Sequence, residues 1–265
     1  MAGTQLLDRA IALLRLVADA GANGLAVRDL SAATGLSVST CHRVAAALAG
    51  HGLLARDESA RRYRLGLEFF VLGARAAERT GLGQLCRPVL TRLAAETDDT
   101  VLLMMRHNFE SVCIDRRDGR IIIQTLTGAI GGSVPLGVGP GSQAILAFLA
   151  ADEVDAIIAH NTPRYATVQG QNPALIRTAI EDVRARGYAL DYGGIIQGVA
   201  GIAVPLRAPG LGVVASLGLG MLTSQLDDER VHSLVDRLKR EAVRIEAEIN
   251  PLSLLPVNAA GKQAG

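Results

Sequence analysis

The segment from Val27 to Leu54 constrains the fold most, because it places two short helical patterns on either side of a single glycine. It reads "VRDLSAATGLSVSTCHRVAAALAGHGLL". Residues 27–34 form the first pattern, and Gly35 is the residue type that commonly ends a helix. Ser37 is suited to cap the next helix, which we predict to run until Gly50. The segment therefore predicts two helices joined by a tight turn.

The flanking residues extend this pair of helices into a small domain. Leucine and alanine recur at helical spacing before it, which predicts a first helix from Gln5 to Asp19. After it, "LLARD" and "RYRLG" alternate like strands on either side of the polar turn "ESAR". Three helices and a hairpin within about 60 residues indicate a winged helix-turn-helix.

The helix after Gly35 has two chemically different faces. The face that we expect to pack on the other two helices carries Cys41, Val44, Ala45 and Leu48. The opposite face carries Ser39 and Arg43, with Thr40 and His42 at its flanks. An arginine can bond a guanine edge with two hydrogen bonds, and hydroxyl groups and a capped helix N-terminus can bond phosphates. This face predicts a DNA recognition helix.

The alternative for such a face is that it is simply solvated. Three features favour DNA: the glycine turn before the helix, Arg28 at the start of the preceding helix, and several arginines on the hairpin. Residues 1–80 contain ten arginines and seven acidic residues, so they carry +3 while the rest of the chain carries −2. The predicted DNA-contacting residues are Arg28, Ser37, Ser39, Thr40, His42, Arg43, Arg61 and Arg62.

The remainder of the chain mixes strands and helices without regular alternation, which favours an α+β domain. A helix over 67–79 is followed by "TGLG", a boundary signal. The predicted strands are "VLLMMR", "SVCIDR", "IIIQTL", "GYALDY", "GIAVPLR" and "GVVASLGLG", and the predicted helices cover 83–96, 144–149, 152–160, 173–186 and 226–249. We expect a DNA-binding domain over 1–66, a linker helix over 67–82, a second domain over 83–250 and a disordered tail over 251–265.

Composition excludes several classes of protein. The chain is 49% hydrophobic over 265 residues, enough for a sizeable core. Its three cysteines are odd in number and far apart, which argues against a disulfide framework and favours a reducing cytoplasm. We expect neither a signal peptide nor a membrane span.

The sequence from Leu6 to Ile249 resembles the IclR family of bacterial transcriptional regulators. The similarity is most specific in residues 7–66, which include the "ST.HR" core of the recognition helix. In the second half, "PLGVGPGSQAILAFL", "RARGYALDYGG", "QGVAGIAVPLR" and "VVASLGLG" resemble the family's GAF-like effector-binding domain. The resemblance implies a small-molecule effector, a homodimer or homotetramer formed partly through the DNA-binding domains, and control of neighbouring, often catabolic, genes as repressor or activator.

The second half departs from the family at its polar pocket positions. Glycines stand at 201, 218 and 220, where relatives have a cysteine and two serines, while Asp191 matches the family's acidic residue. We expect a roomier, less polar pocket that suits an aromatic or bulkier effector, although glycine in a strand can equally mark close backbone approach. The predicted effector-binding residues are Met104, Leu136, Gly141, Ser142, Asp191, Val199, Gly201, Gly218 and Gly220.

Other chemistry is weakly indicated. "GVGPGS" precedes a helix but lacks the lysine of a phosphate-binding loop, although its amides and the Ser142 hydroxyl could receive an effector carboxylate. The five histidines show no metal-ligand spacing, so we predict no cofactor, metal or catalytic residue. A competing hypothesis is that the chain is a small-molecule enzyme or binding protein, whose N-terminal helices serve only to assemble its subunits.

Overall fold

The chain divides into two units, Met1–Arg79 and Thr80–Gly265, each with its own sheet. The computed structural model describes residues 5–168 and 170–254. Residues 255–265 of the predicted disordered tail lie outside the described residues. Residues 251–254 of that tail form a short helix instead.

The first unit is a winged helix-turn-helix. Its elements are α1 (Gln5–Asp19), β1 (Leu25–Ala26), α2 (Val27–Thr34), α3 (Val38–Gly50), β2 (Leu54–Asp57), β3 (Arg62–Leu65) and α4 (Glu68–Thr80). The three predicted helices and the hairpin are confirmed. The two-residue strand β1, which pairs with β3 and completes a three-stranded sheet, was not predicted.

Local chemistry fixes the turn between α2 and α3. Gly35 adopts a left-handed conformation with φ of 68°, which glycine reaches without steric cost. The Ser37 hydroxyl accepts a hydrogen bond from the Thr40 amide at 3.2 Å and so caps α3. Together these two residues set the angle at which α3 leaves the turn.

A small core holds these elements together. The buried side chains come from α1, α2, α3 and the hairpin, and they are Leu13, Val17, Leu30, Cys41, Val44, Ala45, Leu48, Leu54 and Tyr63. The α3 members are the four residues that the helical pattern assigned to its buried face. Because this face is buried, the opposite face of α3 is left exposed.

The second unit is built on one antiparallel sheet. Its elements are α5 (Leu82–Thr97), β4 (Thr100–His107), β5 (Glu110–Arg117), β6 (Ser133–Pro135), α6 (Pro140–Leu146), α7 (Ala151–Tyr165), α8 (Pro173–Arg186), β7 (Ala189–Ile196), β8 (Val199–Ala208), β9 (Gly212–Leu222), α9 (Asp228–Glu248) and α10 (Pro251–Leu254). The strand order is β6-β5-β4-β9-β8-β7. The predicted α+β class is confirmed.

Each face of this sheet is covered by a different set of helices. One hydrophobic core joins the sheet to α5 and α9, and includes Leu103, Leu217 and Leu238. The other joins it to α6, α7 and α8, and includes Met104 and Ala203. Because side chains alternate along a strand, neighbouring residues of β4, β8 and β9 contribute to opposite cores.

Three predictions in this unit are wrong. Residues 121–126, "IIIQTL", form no strand but lie in an irregular segment over 118–132, which we call the cover loop. The edge strand that pairs with β5 is β6, which was predicted as loop. The helix expected over 144–149 begins earlier, at Pro140, because proline suits the first turn of a helix.

Candidate nucleic-acid interface and ligand cavity

The outward face of α3 presents polar groups to solvent. Ser39, His42 and Arg43 are exposed, and Thr40 is half-buried. Within the part of the chain that the structure describes, Arg43 makes no ion pair or hydrogen bond. Its guanidinium is therefore available to an external partner.

Three hydroxyl groups cluster at the start of this helix. The Ser37 hydroxyl lies 2.9 Å from that of Thr40 and 3.3 Å from that of Ser39. They surround the N-terminus of α3, whose partial positive charge attracts anions. Val38 is 51% exposed beside them.

The hairpin arginines differ in what they contact. Arg56 and Arg64 form ion pairs with Glu58 and Asp57, so part of their charge is already compensated. Arg62 donates to the Gly24 carbonyl oxygen at 3.0 Å and holds the hairpin against the chain that precedes β1. Arg61 and Arg28 are exposed, and neither forms an ion pair or a side-chain hydrogen bond with another described residue. Among the described hairpin residues, Arg61 at the turn thus presents a guanidinium with neither an ion pair nor a hydrogen bond, while Arg62 keeps its charge but is held by a carbonyl oxygen.

The second unit contains a cavity on the α6 face of its sheet. Its volume is about 90 Å³, and it lies between β4, β8, β9, the start of α6 and the cover loop. This is room for several water molecules or part of an organic molecule. Its walls are mostly aliphatic and contain no aromatic side chain among the described residues.

Eight of the nine residues predicted from the family resemblance line this cavity: Met104, Gly141, Ser142, Asp191, Val199, Gly201, Gly218 and Gly220. Leu136 does not. Its side chain is fully buried in the core beneath α6, α7 and α8, and its carbonyl oxygen accepts a hydrogen bond from the Tyr165 hydroxyl. Val138, two residues later, lines the cavity instead.

Strand register places the small residues side by side on the cavity floor. Gly201 pairs with Asp191 on one side and with Gly220 on the other. Gly218 pairs with Ala203 in the next row. Because directly paired residues share a face, these positions form a nearly flat floor, and the Asp191 carboxylate stands at its β7 end.

A Cβ atom at each of the three floor glycines would meet a different neighbour. A Cβ atom at Gly218 would lie 3.0 Å from the Ile202 carbonyl oxygen, so this glycine permits close backbone approach. At Gly201 it would lie 3.0 Å from the Pro140 ring, and at Gly220 2.7 Å from the Ile123 Cδ1 atom. Cavity-wall side chains therefore already occupy part of the volume that the glycines leave.

The serine hydroxyls near the cavity are engaged in holding α6. Ser142 accepts from the Gly137 amide at 2.6 Å and donates to the Pro135 carbonyl oxygen at 3.2 Å. Ser216 donates to the Gly141 carbonyl oxygen at 2.7 Å. To receive an effector carboxylate, the Ser142 hydroxyl would have to give up its bond to the Pro135 carbonyl oxygen, because it has only one hydrogen to donate.

The cover loop forms the outer wall of the cavity through Ile123, Thr125, Leu126 and Thr127. One guanidinium holds the middle part of this loop in place. Arg116 donates to the Ile123 carbonyl oxygen at 2.9 Å, the Thr125 hydroxyl at 3.0 Å and the Gly128 carbonyl oxygen at 2.7 Å. Neither Arg116 nor the loop was predicted as part of the site, because isoleucine-rich "IIIQTL" has the composition of a strand.

Arg116 is itself positioned by Asp118. The carboxylate accepts from Arg116 Nε at 2.9 Å and from the Thr100 hydroxyl at 3.0 Å. Partial burial favours the neutral acid, but these two donors outweigh burial, so the pKa of Asp118 lies below its ordinary value of 3.8. At neutral pH the pair is charged and intact.

The cysteines are unsuited to nucleophilic chemistry. All three are buried, and burial raises the pKa of the Cys86 thiol to about 12 and that of Cys113 to about 11. A thiol with such a pKa carries almost no thiolate at neutral pH.

Over residues 5–168 and 170–254, no helix has both the length and the apolar character that crossing a membrane requires.

Known protein families match both units. Residues 6–58 match the family described as the IclR helix-turn-helix domain, and residues 74–247 match the bacterial transcriptional regulator IclR C-terminal family. The HTH-type transcriptional regulator KipR of Bacillus subtilis is 28% identical over 227 residues, 85% of this chain and 90% of KipR. XynR of Escherichia coli is 28% identical over 244 residues, 91% of this chain and 95% of XynR.

Solved structures share the fold. An IclR transcriptional regulator from Alicyclobacillus acidocaldarius superposes with a TM-score of 0.77 at 22% identity, covering 91% of this chain and 97% of that one. An IclR homolog from Microbacterium hydrocarbonoxydans, complexed with 4-hydroxybenzoate, superposes with a TM-score of 0.76 at 23% identity. The match covers 92% of this chain and 98% of that one. The chain therefore belongs to the IclR family, whose members are bacterial transcriptional regulators rather than enzymes.

Proposed function

We propose that this regulator binds double-stranded operator DNA through the exposed face of α3 and responds to a small organic effector in the cavity of its second unit. The observation that carries the DNA proposal is the unpartnered Arg43, set among hydroxyl groups on a helix whose opposite face is fully buried. A guanidinium there can bond a guanine edge in the major groove. Ser39 and His42 reach the same groove.

The remaining predicted contacts have different roles in this proposal. Ser37 and Thr40 form the hydroxyl cluster at the N-terminus of α3, where a phosphate is favoured. Arg28 and Arg61 are exposed cations that position the backbone of the duplex. Arg62 contributes charge but is tied to the Gly24 carbonyl, so we expect its loss to affect folding as well as binding.

DNA binding is tested with fluorescence anisotropy on the DNA that flanks the protein's own gene, at about 150 mM salt. We expect Arg43→Ala to weaken specific binding by about 1 to 3 kcal/mol, roughly 5- to 150-fold, and to relax sequence preference. The matched control is Arg240→Ala, which removes an exposed arginine from the second unit. Unchanged affinity and preference in Arg43→Ala would exclude α3 as the recognition helix.

The cavity supports the effector part of the proposal. It has mostly apolar walls and one carboxylate, and its outer wall is a loop whose middle part Arg116 holds. Concave, mostly apolar cavities with few polar groups are typical ligand sites. We expect Asp191→Ala to retain operator affinity and to lose the change in affinity that the effector causes.

We further propose that the regulator acts as a cytoplasmic homodimer or homotetramer on catabolic genes. Several large apolar side chains of the first unit are exposed, including Leu6, Leu7, Leu67 and Phe70. Such surfaces on a small unit mark interaction sites. Light scattering after gel filtration is expected to give two or four times the 27.7 kDa of one chain, and a monomer mass would contradict this assembly.

A further inference from the structure

Val38 is an exposed apolar residue among polar neighbours. It is the first residue of α3 and is 51% exposed. Among the described residues between 12 and 64 it is the only exposed large hydrophobic residue, and it is not one of the residues packed on the core of the first unit. Its side chain therefore faces solvent at a helix end that otherwise presents hydroxyl groups.

Val38 lies beside the groups that we propose to contact DNA. Ser37 precedes it, Ser39 follows it, and His42 lies one turn later on the same side of the helix. In helix-turn-helix proteins the N-terminal residues of the recognition helix contact base edges in the major groove. The first position of α3 therefore belongs to the part of the helix that enters the groove.

A valine can use only one feature of the major groove. Its side chain has neither a donor nor an acceptor, so beside a phosphate or a polar base edge it displaces water without replacing the lost hydrogen bonds. The C5-methyl group of thymine is the apolar group that an unmodified duplex presents in the major groove. Contact between this methyl group and the valine removes apolar surface of both from water, which is favourable.

The first turn of α3 holds the valine in a fixed position. The Ser37 hydroxyl accepts from the Thr40 amide at 3.2 Å and lies within hydrogen-bonding distance of the Thr40 and Ser39 hydroxyls. These contacts order the backbone on both sides of Val38. Because a β-branched side chain in a helix has one strongly preferred rotamer, the valine loses little freedom when it contacts the DNA.

We propose that Val38 contacts the C5-methyl group of a thymine, so that thymine is the preferred base where the first turn of α3 meets the major groove. The proposal rests on the proposed DNA binding by α3, and the contact is separate from the guanine contact of Arg43. A solvated valine and a valine in a subunit contact are the other interpretations. Both predict that the thymine methyl group has no effect on binding through Val38.

The test removes the methyl group from the DNA and the valine from the protein, separately and together. In the specific site next to the protein's own gene, each thymine is replaced in turn by deoxyuridine, which lacks the methyl group and keeps every hydrogen-bonding group of thymine. Affinity of the full chain is measured by fluorescence anisotropy at about 150 mM salt. We expect one thymine in each half-site at which the replacement weakens wild-type binding about fourfold, the effect of one buried methyl group.

Two variants complete the cycle. Val38→Ala is expected to bind the thymine site about fourfold more weakly and to distinguish thymine from deoxyuridine there by less than about twofold. Alanine favours the helix, so α3 is retained. The matched control is Val243→Ala, which removes a valine that is 66% exposed on α9 of the second unit. It is expected to keep the wild-type ratio.

Each outcome decides one way. If the wild-type protein binds specifically but no deoxyuridine replacement weakens it, or if Val38→Ala keeps the wild-type ratio, the thymine contact is excluded while DNA binding stands. Loss of all specific binding in Val38→Ala exceeds what a methyl contact explains and also overturns the assignment. A changed mass of Val38→Ala in light scattering, with the ratio kept, places Val38 in a subunit contact instead. If the wild-type protein binds no site specifically, the proposed function fails and the thymine contact fails with it.

Discussion

Replacing Arg116 with alanine is expected to release the cover loop from the cavity while leaving the sheet folded. The arginine side chain is 11% exposed and donates to three acceptors on the loop, at Ile123, Thr125 and Gly128. The far end of the loop is anchored separately, because the Gly131 amide donates to the Cys113 carbonyl oxygen at 2.7 Å. The substitution therefore frees the middle of the loop more than its end.

The size of the effect follows from these bonds. A hydrogen bond from a charged donor contributes about 1.5 to 3 kcal/mol, but water replaces part of each lost bond and the three are not additive. We expect the free energy of loop opening to fall by about 3 kcal/mol. Since about 1.4 kcal/mol corresponds to a tenfold change in an equilibrium, this is roughly a hundredfold increase in the open population.

Hydrogen exchange of backbone amides reports that population directly. The Gly128 amide, bonded to the Thr125 carbonyl oxygen at 3.0 Å, is the probe. We expect it to exchange about a hundredfold faster in Arg116→Ala, with the amides of β9 unchanged. Arg120→Ala is the control, because that arginine belongs to the same loop but is 83% exposed and pairs with Asp98. Exchange at Gly128 within threefold of the wild-type rate would refute the assignment of Arg116 as the residue that holds the loop.

Three further predictions concern stability and titration. Gly66→Ala places a Cβ atom 1.9 Å from the Gly52 carbonyl oxygen, so we expect the unfolding midpoint of the first unit to fall by several degrees. Gly50→Ala is the control, because its Cβ atom meets no atom within 4 Å, and we expect the midpoint to stay unchanged or to rise. Ser37→Ala removes the cap of α3 and is expected to cost about 1 kcal/mol in a urea titration; no change would mean that water replaces the cap. Because the pKa of Asp118 is lowered in the folded protein, its stabilising contribution is present above pH 3.8 and is lost as the pH falls through the lowered pKa. Its carboxyl resonance should therefore titrate below 3.8 in the wild-type protein and at a higher pH in Arg116→Ala.

The first unit was predictable because its signals are local. Helical periodicity, the left-handed Gly35 and the capping Ser37 act within a few residues of one another, so α1, α2 and α3 match their predicted bounds. The strand β1 has two residues, too few for a periodic pattern, and exists only because it pairs with β3. Cavity positions such as Gly201 were predictable through family resemblance, whereas periodicity alone does not show which glycines share a floor.

The cover loop was missed for a nonlocal reason. Its "IIIQTL" segment has β-branched residues that favour a strand, and Ile122 nevertheless remains 76% exposed. The edge of β5 is instead paired with β6, which lies later in the chain. The loop carbonyl at Ile123 then bonds to Arg116 rather than to a strand. Sequence pattern reports propensity, but the available partner decides which segment becomes the edge strand.

A single extra residue in β5 determines which charge faces the cavity. Leu103 pairs with Asp115 and Met104 pairs with Cys113, so Ile114 forms a bulge. Strict alternation from Cys113, which faces the cavity side, would turn Asp115 toward the cavity and Arg116 toward α5. The bulge reverses both: Asp115 bonds to Arg87 of α5, while Arg116 lies opposite the cavity residue Leu102 and binds the cover loop. Arg116 therefore holds part of the outer wall of the cavity through the cover loop, and among the described residues that line the cavity Asp191 remains the only charged one.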